Sequence, residues 1–140
     1  MHLLTVEDIS KEEEGRTLVK EVCFSIDAFK KVALMGETGS GKSTLMKMMA
    51  GLVQPSSGNT YFEEHRIKGP DEVLLPGHPA IAYLSQHFEL RSNYRVHELL
   101  EMANKMEDEE AAEIYLICRI NHLLDRKVHQ LSGGERQRIA

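Results

Sequence analysis

The sequence predicts an α/β fold, with an N-terminal antiparallel β region, a sheet-and-helix core and a helical segment after it. Three observations carry this. Residues 22–26 alternate large and smaller apolar side chains, the period of a strand, and an earlier strand is expected near residues 3–6. A short apolar run, Lys31-Val32-Ala33-Leu34-Met35, feeds into a glycine-rich turn followed by helical spacing. From residue 94 to 130 the apolar positions fall on helical faces.

The elements follow in chain order. Between the first two strands, Lys11-Glu12-Glu13-Glu14-Gly15-Arg16 reads as a solvated turn. Residues 31–35, ending at Gly36, fit a strand buried on both faces of a parallel sheet. Leu45, Met48 and Met49 recur at helical spacing before Gly51, which can end a helix in the left-handed conformation. The methionines are expected to pack in the core. Pro55-Ser56-Ser57-Gly58 turns into a strand over residues 59–63, and residues 69–79 form a broken loop. Ala80-Ile81-Ala82-Tyr83-Leu84 restores the buried-strand pattern. Val96, Leu99, Leu100, Ala103 and Met106 share one helical face, and Ala111, Ala112, Tyr115 and Leu116 another. Asp108, Glu109 and Glu110 fall where the second helix begins, against the positive end of its dipole.

Bulk properties narrow the function. A chain of 140 residues, 41% apolar with mean hydropathy −0.35, suits one ordinary soluble domain. Net charge −5 and pI ≈ 5.8 argue against whole-molecule attraction to nucleic acid or anionic lipid, and no nucleic acid partner is expected. No apolar run is long enough to cross a bilayer, and Met1-His2-Leu3-Leu4-Thr5 lacks a basic segment followed by a hydrophobic one, so a cytoplasmic location is expected. Cys23 and Cys118 sit far apart among apolar neighbours and are expected to be buried free thiols.

Two motifs carry chemistry. Gly36, Glu37, Thr38, Gly39, Ser40, Gly41, Lys42 and Ser43 match the G-x-x-x-x-G-K-[ST] pattern between a strand and a helix, the context a P-loop requires. Its glycines let successive N–H groups converge on phosphate oxygens, and the helix adds its positive end. Lys42 is expected to bridge the β- and γ-phosphates, Ser43 to ligate Mg²⁺ and Thr44 to assist at the α- and β-phosphates of ATP. The second motif, Leu131-Ser132-Gly133-Gly134-Glu135-Arg136-Gln137, should arise by chance in a chain this short less than about once in a million. Ser132 and Glu135 fit a capping box, while bare glycine N–H groups at a helix start suit a second phosphate contact.

Together these motifs resemble the ATP-binding cassette ATPases, the nucleotide-binding subunits of ABC transporters. The resemblance covers nearly the whole chain and implies a P-loop NTPase core. It divides the chain at residues 1–85, the β region plus core, and 86–140, the helical subdomain with the signature motif. It also implies that Ser132, Gly133, Gly134 and Glu135 of one protomer close on the γ-phosphate held by another, in a head-to-tail dimer. Gln86 matches the family's Q-loop glutamine, a contact to Mg²⁺ or attacking water, and residues 88–96 are expected to face a transmembrane transporter subunit. The implied location is cytoplasmic, peripheral to the membrane through those subunits.

Two departures qualify the likeness. No aromatic residue stands around residues 12–17, where the family usually stacks adenine. The family's Mg²⁺-holding acidic strand end (Walker B), catalytic glutamate and switch histidine follow the signature, so they are expected beyond Ala140, with no catalytic residue within the chain. His87, His97, His122 and His129 all precede the signature and do not replace that histidine. The sheet is therefore expected to be incomplete and the 140-residue chain inactive alone. Two alternatives share the motifs: a non-catalytic nucleotide-binding module, and a soluble ABC ATPase of DNA repair or translation.

Overall fold

A computed structural model describes residues 2–85 and 90–140. Four strands, β1 (His2–Glu13), β2 (Arg16–Asp27), β3 (Ser57–Phe62) and β4 (His65–Arg66), form one antiparallel sheet in the order β2-β1-β3-β4. The helices are α1 (Lys42–Met49), α2 (Val96–Ala103), α3 (Asp108–Ile117) and α4 (Gly133–Ile139). The chain divides into two compact units, Met1–Tyr83 and Leu84–Ala140.

In the first unit β1 and β2 make a long hairpin, from His2 opposite Asp27 to Glu13 opposite Arg16. Only Glu14 and Gly15 form its turn, both at positive φ (49° and 76°), because a two-residue loop with that twist suits antiparallel strands. The expected charged turn is thus shorter than its charge run, and Lys11, Glu12 and Glu13 belong to β1. Val6, Ile9 and Val19 meet Leu45 and Met48 of α1 in a buried cluster, which fixes the helix to the sheet. Met48 is 2% exposed, but Met46 on the opposite side of α1 is 44% exposed. Gly51, at φ 74°, follows the helix end as expected.

Two expected buried strands do not form. Residues 31–35 and 80–84 are irregular, and Val32, Leu34, Met35 and Leu84 are exposed. A strand buried on both faces needs hydrogen-bonding neighbours and covering layers. Among the described residues, neither segment pairs with a strand of the sheet. Cys23 also departs from expectation: it lies exposed on β2, where its thiol donates to Asp8 Oδ1 at 2.9 Å. That hydrogen bond to a carboxylate raises the thiol pKa above its ordinary value.

The second unit is helical around Val96, Ile120, Leu123, Leu131 and Ile139. The backbone near residues 94–97 pairs with residues 124–128, as in Val96 N–H to Arg126 O (3.0 Å) and Val128 N–H to Tyr94 O (3.1 Å). The first apolar face stops short of Met106, because Asn104 leaves the helix and its side chain binds Met106 at both N–H and C=O. In α3 only Ala111 is buried, while Ala112 and Leu116 are exposed. Asp108, Glu109 and Glu110 do occupy its first turn.

Candidate functional site

Residues 36–44 form a loop that closes into α1. Ser40 N–H donates to Glu37 O (3.2 Å), and Leu45 N–H to Gly41 O (2.8 Å), so the turn runs straight into the first helical turn. Gly41 is the N-cap, at φ 83° and ψ 4°, and it offers no side chain to occupy the amides of the helix start. No acidic residue stands in the first turn of α1, so its positive end is not neutralised from within, while Lys47 complements the negative end.

Gly41 is required by its surroundings, whereas Gly36 meets only the end of a flexible side chain. An ideal Cβ on Gly41 lies 2.2 Å from Leu18 O and 3.1 Å from Val19 Cγ2, so β2 presses directly on the loop. On Gly36 it lies 2.9 Å from Ser40 Oγ. Gly39, at φ 85°, has nothing within 4 Å of such an atom, so its backbone faces open space. The result is a glycine-rich loop that runs into a helix N-terminus, a geometry suited to an anionic group.

Lys42 curls back into this loop. Its Nζ donates to Gly36 O at 2.8 Å, Glu37 O at 2.5 Å and Ser40 Oγ at 3.2 Å. Ser43 is exposed and Thr44 half-buried on the first turn. A hydroxyl oxygen is a suitable hard ligand for Mg²⁺, which typically takes few protein ligands and completes its shell from phosphates and water. Among the described residues no cluster of three His, Cys, Asp or Glu forms a separate metal cage.

The second motif folds as the capping box expected. Ser132 N–H donates to Glu135 Oε2 at 2.8 Å, and Glu135 N–H returns to Ser132 Oγ at 3.3 Å. The Ser132 amide and then its hydroxyl hold the Glu135 carboxyl below the usual carboxylate range, with Arg126 and Arg138 adding to the effect. Gly133 and Gly134 open α4 with nothing within 4 Å of an added Cβ, so their backbone is accessible.

The structure therefore gathers Gly36, Ser40 and Lys42 into one loop, and Ser132 and Glu135 into one helix start. Gln86, the expected Q-loop residue, lies outside the described residues. Leu18 and Val19, which support the loop at Gly41, gave no sequence signal, because the contact joins positions far apart in the chain.

The model of the family described as ABC transporter matches residues 19–140. The zinc import ATP-binding protein ZnuC 1 of Aliivibrio fischeri is 33% identical over 139 residues, covering 98% of this chain and 49% of that protein. The molybdate/tungstate import ATP-binding protein WtpC of Methanocaldococcus jannaschii is 35% identical, covering 99% of this chain and 47% of its own length. The lipopolysaccharide export system ATP-binding protein LptB of Haemophilus influenzae is 31% identical, with shares of 99% and 61%. The chain thus spans about half the length of the curated relatives it matches. Among solved structures, a nucleotide-free ATP-binding cassette from an ABC transporter superposes with a TM-score of 0.70 at 24% identity, over 99% of this chain and 64% of that one. A dimeric post-hydrolysis ATP-binding cassette bound to ADP and Pi gives 0.72 at 22% identity, over 97% and 66%. With the family model spanning most of its length, the chain belongs to the ABC transporter family and has the fold of that family's ATP-binding cassettes.

Proposed function

We propose that the chain is the nucleotide-binding part of an ABC transporter ATP-binding subunit, which couples ATP binding and hydrolysis to movement of a substrate across a membrane. The observation that carries this is the glycine-rich loop at the start of α1 with Lys42 folded into it. Relatives named for zinc import, molybdate/tungstate import and lipopolysaccharide export support transport without choosing among cargoes.

In this reading the amides of residues 36–44 hold the phosphates. Lys42 supplies a compact positive charge to the β- and γ-phosphates, and Thr44 assists at the α- and β-phosphates. Ser43, with Gln86, would hold Mg²⁺, which supplies charge neutralisation when bound. Ser132, Gly133, Gly134 and Glu135 serve a second nucleotide-binding domain in trans, their exposed glycine amides facing its γ-phosphate. Residues 1–85 act as the β region and core, and residues 86–140 as the helical subdomain, within which residues 88–96 serve a transmembrane subunit. Among the described residues no helix is long and apolar enough to cross a membrane. Attachment through transporter subunits, on the cytoplasmic side, fits this arrangement.

Phosphoryl transfer also needs a metal-holding carboxylate and a group that positions water. In the family both follow the signature motif, so a polypeptide of residues 1–140 is expected to bind MgATP weakly and turn it over negligibly. Equilibrium dialysis with labelled MgATP, run beside a phosphate-release assay, tests both halves. Saturable binding lost in Lys42→Ala, with no turnover, supports the proposal. Steady Mg-dependent phosphate release by residues 1–140 refutes the second half, and binding indifferent to Lys42 refutes the first.

A further inference from the structure

The Lys42 ammonium is held entirely by its own loop. It carries three N–H donors and finds three acceptors within its own loop: Gly36 O, Glu37 O and Ser40 Oγ, at 2.8, 2.5 and 3.2 Å. Two are main-chain carbonyls that no substitution removes. The third is a side chain, held over the loop because Gly36 has no Cβ, which would lie 2.9 Å from the hydroxyl oxygen. Ser40 is itself placed by its N–H bond to Glu37 O.

We propose that Ser40 is a positioning residue that latches Lys42 inside the loop, so that an arriving phosphate must first draw the ammonium away from the Ser40 hydroxyl. The inference rests on the reading of residues 36–44 as a phosphate site, but the latch itself is made by the chain's own residues. Its effect is kinetic. A fully hydrogen-bonded ammonium is less available to an incoming anion than one facing water, so the latch slows capture. Removing one of three acceptors increases the share of time the lysine faces outward.

The test has a ligand-free arm and a ligand arm. In the ligand-free arm, the rate at which an amine-reactive reagent labels Lys42 is read by mass spectrometry against Lys47, an exposed lysine of the same helix. The latch predicts slow labelling of Lys42 in the native chain, a rise of about fivefold in Ser40→Ala, and a native rate in Ser40→Thr, which keeps the hydroxyl. Gly36→Ala evicts the hydroxyl without touching Ser40 and is expected to raise labelling as well. It serves as a second variant should Ser40→Ala lose its circular dichroism.

In the ligand arm, stopped-flow association of a fluorescent MgATP analogue is expected to quicken about fivefold in Ser40→Ala. Unchanged labelling in both variants overturns the latch. So does a faster dissociation rate with an unaltered association rate, because Ser40 would then be a phosphate contact alone. If labelling changes as predicted but no analogue binds saturably to the native chain, the latch stands and the nucleotide reading fails.

Discussion

The carbonyl oxygen of Leu18 stands where a side chain on Gly41 would begin, 2.2 Å from an ideal Cβ. This ties the second strand to the loop of residues 36–44, because neither backbone can retreat without breaking the sheet or the first turn of α1. Gly41 also sits at φ 83°, which costs an L-residue about 1–2 kcal/mol. Gly41→Ala adds a clash, typically worth about 1–3 kcal/mol, and is expected to destabilise the first unit by about 2–5 kcal/mol. Gly39 shares the backbone angle, at φ 85°, but faces open space, so Gly39→Ala is expected to cost only about 1–2 kcal/mol. Urea unfolding of the two variants separates clash from conformation, and equal losses would contradict the close approach.

Ser132 and Glu135 stabilise the start of α4 in the second unit by reciprocal hydrogen bonds. Removing the cap with Ser132→Ala is expected to cost about 0.5–2 kcal/mol. Hydrogen exchange should quicken first at the amides of residues 133–136, ahead of the sheet. Uniform loss of protection across both units would show that the cap is not a local device.

Acid should act through identifiable carboxyls. Arg66 and then the Gly69 N–H hold Glu72 below the ordinary carboxylate range, as the Ser132 amide does for Glu135. A carboxyl with a depressed folded pKa contributes stability that is fully present above its unfolded value, about 4.3, and is lost as pH falls through the lower folded value. The unfolding midpoint is therefore expected to drop on acidification below about pH 4.3, and less steeply in Glu72→Gln with Glu135→Gln. Urea titrations between neutral and acidic pH check this; identical slopes in the variant and native chains would place the acid sensitivity elsewhere.

What the sequence disclosed follows the range of each interaction. The Ser132–Glu135 box and the Leu45 and Met48 face of α1 depend on spacings of three residues within one helix, so both were legible. The long β1–β2 hairpin was legible only in parts, since strands are stabilised by partners that a local window does not contain. Residues 31–35 and 80–84 have the composition of buried strands, but burial needs neighbours on both sides, and composition does not supply them. At the site, the glycines and Lys42 could be read from their pattern. The Leu18 support and the Ser40 contact to Lys42 emerge only when backbone conformation is known.

The central claim is that the backbone of residues 36–44 grips phosphate. A titration with MgATP followed by backbone amide NMR tests it most directly. Saturable shift changes are predicted at the amides of Gly36, Gly39, Gly41, Lys42 and Ser43, and they should vanish in Lys42→Ala while the β1–β2 resonances keep their folded positions. A folded sheet whose loop amides stay fixed at saturating nucleotide, or shifts confined to other parts of the chain, would contradict it.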